Sequence, residues 1–158
     1  MNQKTVIVQE LRAARQGHIR WVRYASALIS GMEVLKDHVP VVGTDCRFGR
    51  WYYGAGAALT GLESYRNIEQ PHLNLHDMYM EIFKLLFDDD NRASPGFFGR
   101  LLGRSSTQKN ARTEKARARF ADLEAVSQVI LKHLEQLESD VLALSDAEIE
   151  RLFYTAEA

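Results

Sequence analysis

Three histidines and the lone cysteine are the side chains of this sequence best suited to chemistry. His72 and His76 stand four apart, which on a helix puts both imidazoles on one face, about one turn from each other. His18 interrupts an otherwise apolar stripe that continues through Trp21 and Ala25. A single histidine in a core is usually just hydrogen-bonded, because neutral imidazole tolerates burial when both nitrogens have partners. Three on the core-facing positions of two helices are harder to explain as packing. Cys46 follows Pro40 and Gly43 at the start of a turn or short helix, where backbone N–H groups lower a thiol pKa. Three neutral nitrogens and one thiolate form a four-ligand, borderline-soft set that suits tetrahedral Zn²⁺.

Four protein ligands leave no open coordination position, and a metal enzyme normally keeps one for water. The interior of the histidine pair is Leu73-Asn74-Leu75, so the glutamate of a zinc protease is missing. Asp77 follows the second histidine but lies about 100° round the helix from it. Paired Glu-x-x-His motifs, which a di-iron bundle needs, are also missing, and a cysteine with three histidines favours zinc. Catalysis is therefore not expected.

The elements that must position these groups read as helices. Ile7, Leu11, Ala14, His18, Trp21, Ala25, Leu28 and Met32 recur at alternating steps of four and three, which predicts one amphipathic helix over 4–37. Pro40 and Gly43 break it, and Thr44 or Asp45 is placed to cap a short element carrying Cys46, Phe48, Trp51 and Tyr52. A helical stretch follows from Leu59 to about Glu69, and Pro71 sits where a new helix would start. That helix carries His72, His76, Tyr79, Phe83 and Leu86. Residues 88–108 read as a loop. Beyond it, Ala116, Phe120, Leu123, Ser127, Ile130, Leu134, Leu137 and Val141 mark a long helix, and Ser145 with Glu148 forms a capping box for a last short one. The fold class expected is all-α, in a single domain over 1–158: an antiparallel four-helix bundle with a short extra helix near the cysteine and a C-terminal helix.

Composition agrees with a globular chain: 158 residues, 46% hydrophobic and 26% charged. No stretch approaches the roughly 18 apolar residues of a membrane span, so membrane insertion is not expected. Lys4, Glu10, Arg12 and Arg15 interrupt any signal-peptide pattern, and a single cysteine cannot form an internal disulfide; the chain reads as cytoplasmic. The net charge of −1 hides a block of +7 over 92–119 beside one of −7 over 120–158. The two blocks could neutralise each other by ion pairs, or the basic one could contact an acidic partner or nucleic acid. With aromatics limited to Phe97, Phe98 and Phe120, base stacking has thin support and nucleic-acid binding is not the favoured reading.

Around the cysteine the chain runs Gly43-Thr44-Asp45-Cys46-Arg47-Phe48-Gly49-Arg50-Trp51-Tyr52-Tyr53-Gly54. This resembles the chemoreceptor zinc-binding domain family, whose signature is Cys-x-Phe-Gly-x-Trp followed by an aromatic and a glycine. In that family one histidine precedes the cysteine by some thirty residues and an HxxxH pair follows it at slightly less than thirty. Here His18 lies 28 residues before Cys46 and His72 lies 26 after it, and the resemblance covers about 18–86. It implies that His18, Cys46, His72 and His76 hold Zn²⁺ and that the bundle pairs into a homodimer. The family regulates bacterial chemoreceptors, and so chemotaxis, and diguanylate cyclases, and so cyclic di-GMP signalling, as a zinc- or oxidant-responsive input.

The chain departs from the family pattern in having no room for a signalling hairpin or a cyclase domain, so its output is expected in a separate, unknown signalling partner or in its own loop and C-terminal helix. The segment after 88 carries no family motif; 109–158 would supply the fourth helix and the short terminal one. His38, beside Pro40, and His133, one step off the Ile130/Leu134 stripe, are not expected to be ligands. The alternative reading is a helical adaptor that binds an acidic partner or nucleic acid through 100–119, with structural histidines.

Overall fold

The computed structural model describes residues 2–31, 43–87 and 104–156. Within them the elements are helical: α1 (Gln3–Ile29), α2 (Arg47–Tyr53), a 3₁₀ segment (Ala55–Leu59), α3 (Glu63–Phe87), α4 (Arg104–Ala143) and α5 (Asp146–Ala156). The all-α bundle expected from the apolar periodicity is what forms, with the short helix at the cysteine and the C-terminal helix both present.

The apolar stripes become the core. Ile7, Leu11, Ala25 and Leu28 of α1 are buried, as are Ala116, Leu123, Ser127, Ile130, Leu134, Leu137 and Val141 of α4. α3 adds Ile68, His72, Leu75, His76, Tyr79 and Ile82. Polar contacts fix the direction of packing. Arg12 Nε meets Glu138 at 2.7 Å and Arg15 Nη2 meets Glu135 at 2.5 Å, so α1 runs antiparallel to α4. Ser64 donates to Asp140 at 2.5 Å and Arg119 meets Glu81 at 2.6 Å, so α3 is antiparallel to α4 as well. α1 and α3 therefore run parallel, each with its backbone packed more closely on α4 than on the other.

Several boundaries differ from the sequence reading. α1 stops at Ile29, not at 37, because Gly31 adopts φ +78°, the left-handed turn that ends helices, and its N–H closes on Leu28 O at 3.1 Å. Residues 32–42, with His38 and Pro40, lie outside the described residues. The break expected at Pro71 does not occur: α3 runs through it, so the two helices read from the sequence on either side of Pro71 are one. Burial of the flanking Ile68, His72 and Leu75 against α4 outweighs the backbone hydrogen bond that proline cannot make. α4 begins at Arg104, so 104–108 is helical; the rest of the expected loop, 88–103, lies outside the described residues.

Among the described residues the two charge blocks pair both with each other and with the rest of the bundle: Arg119 meets Asp122 at 3.2 Å and Glu81 of α3 at 2.6 Å, while Glu135 and Glu138 reach Arg15 and Arg12 of α1. The capping box forms as expected: Glu148 accepts from Ser145 N and Oγ, both at 2.7 Å, and donates its own N–H to Ser145 Oγ at 3.3 Å. No helix among the described residues is long and apolar enough to cross a membrane.

Candidate metal centre

Cys46 is held by its own short helix. It serves as the N-cap of α2, in place of the Thr44 or Asp45 expected, and its Sγ accepts the Gly49 N–H at 3.1 Å. As a thiol it also donates to Gly43 O at 3.2 Å. This loop closes so tightly that a Cβ at Gly49 would lie 1.9 Å from Gly43 O, and one at Gly43 would lie 3.2 Å from the His76 ring. Gly49 is thus required by close approach, and at Gly43 a side chain would press on the His76 ring; the sequence reading foresaw neither.

The structure brings Cys46 together with His72 and His76, whose candidate donor atoms all lie within 4.8 Å of one another. Cys46 Sγ is 3.4 Å from His72 Nε2. A tetrahedral ion with bonds of about 2.0 to 2.3 Å puts neighbouring donors about 3.3 to 3.6 Å apart, so this separation fits zinc. His72 and His76 are buried on successive turns of α3, their rings 4.8 Å apart and edge to face. Phe48 packs its ring edge-on to His72 at 5.0 Å, so the aromatics after the cysteine wall the site as expected.

His18 lines the same cavity but does not join the mutual 4.8 Å set. It stacks 6.4 Å from Trp21, which lies 5.3 Å from His76 and 4.6 Å from Tyr79. Its Nε2 is buried without a hydrogen-bond partner. A buried, unpartnered imidazole nitrogen in the cavity that Cys46, His72 and His76 also line is free to face a metal in the tautomer that leaves it unprotonated. The three converging donors therefore fit a metal, and His18 holds an unpartnered nitrogen in the same cavity.

The electrostatics favour neutral imidazoles. Burial pushes His18 down to about 4 and His72 down to about 3, with His76 adding to both shifts. Neutral imidazole is the form that binds a metal. The thiol departs from expectation. The backbone N–H groups of Gly49 and Phe48 do lower its pKa, but burial outweighs them and the net shift is upward. Arg50 also pulls the thiol down, too weakly to offset burial, and a bound cation would add to that pull.

Sequence reasoning also missed Trp21 as a wall of the site; its place one turn from His18 on the same stripe was the available signal. His133, on α4, is not part of the Cys46, His72 and His76 group found among the described residues.

No curated protein and no solved structure matches the chain significantly. The family comparison agrees with the geometry. Residues 18–83, a segment that begins at His18 and contains Cys46, His72 and His76, match the chemoreceptor zinc-binding domain, a family of zinc-binding signalling domains.

Proposed function

We propose that this protein is a non-catalytic sensory module in which His18, Cys46, His72 and His76 hold one zinc ion, and that it controls a separate signalling partner of the chemoreceptor or diguanylate cyclase class. The observation that carries the reading is the convergence of Cys46, His72 and His76 within 4.8 Å, inside the segment that matches a zinc-binding family. The unpartnered Nε2 of His18 supports its place as fourth ligand. When bound, the ion supplies a positive charge that stabilises the thiolate and ties α2 to α3.

The chain's own residues define how a signal would act. His72 and His76 are fixed on α3 by burial against α4, and His18 belongs to α1. Cys46 instead caps a seven-residue helix, half-buried and held mainly by its Gly43 and Gly49 contacts. It is the ligand that moves at least cost. It is also the ligand an oxidant converts: the thiolate sulfur attacks one oxygen of hydrogen peroxide, the O–O bond breaks, hydroxide leaves and takes a solvent proton to become water, and the resulting sulfenic acid is a poor ligand. Loss of zinc or oxidation of Cys46 would then release the Cys46 end of α2, and the repacking around Phe48 to Tyr53 would be the output. A cytoplasmic location and a homodimer belong to this reading. The dimer rests on the family resemblance, since the α4 stripe is buried within the chain.

Metal analysis of protein purified without added zinc tests the reading. About one zinc per chain is expected, with most of it lost in His76→Ala. Unchanged zinc in every one of His18→Ala, His72→Ala and His76→Ala overturns the site, and a monomer mass by sedimentation at micromolar concentration overturns the dimer.

A further inference from the structure

The two ends of α2 are held by different helices. At its far end Tyr52 and Tyr65 exchange hydroxyl-to-carbonyl hydrogen bonds, which fasten it to α3. At the Cys46 end, Arg47 Nη2 donates to both carboxylate oxygens of Glu10 on α1, at 3.2 and 3.3 Å. Arg47 directly follows the thiol residue, and Glu10 lies about two turns before His18 on the same helix. The pair therefore joins the element that carries Cys46 to the element that carries His18.

The charges on these two elements give the contact its weight. α1 carries Lys4, Arg12, Arg15, Arg20 and Arg23, and Glu10 is its only acidic residue. α2 carries Arg47 and Arg50 and no acid. Two cationic helices repel each other. Arg12 and Arg15 turn away to Glu138 and Glu135 of α4, and Arg50 turns back onto Asp45 O of its own loop at 2.5 Å. Arg20 lines the same cavity as Glu10 and Arg47. With Arg47 71% and Glu10 31% exposed, the pair by itself shifts an equilibrium by up to about fivefold. Its loss through Glu10 also leaves Arg47 facing a helix whose remaining charges are all positive.

We propose that the Glu10–Arg47 ion pair is the latch that holds the Cys46 end of α2 on α1, which makes both side chains positioning residues for the thiol. Opening it frees the end of α2 whose release carries the signal, so the latch sets how readily the site gives up zinc. Its bearing on zinc rests on the sensory reading above. The latch itself does not, since neither residue is a candidate metal ligand.

Hydrogen exchange over α2 in the chelator-treated full chain, at about 50 and about 500 mM NaCl, tests the latch. At low salt Glu10→Gln and Arg47→Gln should each speed exchange about two- to fivefold, and the double variant no more than either alone. The exchanged pair, Glu10→Arg with Arg47→Glu, should return it to within about twofold of wild type. High salt should raise exchange in the wild type and not in the single variants. Zinc affinity by chelator competition should fall several-fold in Glu10→Gln and recover in the exchanged pair. Exchange that neither single variant changes overturns the proposal. So do single effects that add in the double variant, or an exchanged pair no better than Glu10→Gln, because the two charges would then act separately. A lower zinc affinity in Glu10→Gln with exchange unaltered overturns it too, since Glu10 would then only attract the cation. A chain that holds no zinc refutes the sensory reading, and the exchange rates still decide the latch.

Discussion

Tyr52 and Tyr65 lie ring on ring, their centroids 4.1 Å apart and their planes within 3°, and each donates its hydroxyl to the backbone carbonyl of the other, at 3.0 and 2.5 Å. Both are buried, and together they rivet the end of α2 to the first turns of α3. Tyr52 packs on Phe48 at 5.5 Å, and Phe48 packs on His72 at 5.0 Å, so a continuous aromatic path runs from the rivet to the metal cluster. The pair sets where Cys46 stands relative to the two histidines.

Tyr65→Phe keeps the stacked ring but leaves the Tyr52 carbonyl without its donor. The expected result is a loss of about 1 to 2 kcal/mol in urea unfolding, together with a several-fold weaker zinc affinity by chelator competition. An unchanged affinity would show that the rivet does not position Cys46.

Gly49→Ala should be far more damaging than its size suggests, because the new methyl would fall 1.9 Å from Gly43 O. The loop carrying Cys46 must open, and the Gly49 N–H to sulfur bond goes with it. Zinc affinity is expected to drop at least tenfold. Gly61→Ala, where a Cβ meets nothing within 4 Å, serves as the silent control.

The chelator-treated chain should lose stability as it is acidified below neutrality. Burial holds His18 at about 4 and His72 at about 3 in the folded metal-free state, against about 6.5 for a free histidine. Between about pH 6.5 and 4 the unfolded chain therefore takes up protons that the folded chain refuses, and each histidine steepens the fall by up to about 1.4 kcal/mol per pH unit. Urea unfolding at pH 7.5, 6 and 5 checks this. Stability that stays flat over that range would mean that these imidazoles are not buried.

Cys46→Ala should loosen one region only. Hydrogen exchange on the variant against the zinc-loaded protein is expected to rise over 43–56, with α1 and α3 little changed. Equal loosening of every helix would make the metal a structural staple and end the sensor reading.

The long helices were legible because burial on one face repeats the same spacing in sequence: the α4 stripe from Ala116 to Val141 is buried throughout, save a half-buried Phe120. The boundaries were less so. Met32 continues the α1 pattern, but Gly31 in a left-handed turn stops the helix before it, and Pro71 stays inside α3 because tertiary burial on both sides overrides a local preference. At the site, residue types and spacing identified Cys46, His72 and His76, because a helix face and a local motif suffice to do so. The cap made by Cys46 itself, the glycine pair beneath it and the upward pull of burial on the thiol depend on how α2 meets α3, which no local pattern encodes. His18 was found as a break in a stripe, and the structure leaves it in the cavity with its nitrogen unpartnered.

X-ray absorption at the zinc edge, on protein purified without added metal, tests the central claim most directly. The account predicts a shell of one sulfur at about 2.3 Å and three nitrogens at about 2.0 to 2.1 Å, with one nitrogen replaced by a water oxygen or the metal lost in His18→Ala. A shell without sulfur, or one that His18→Ala leaves unchanged, would contradict the assignment of His18, Cys46, His72 and His76 as the four ligands.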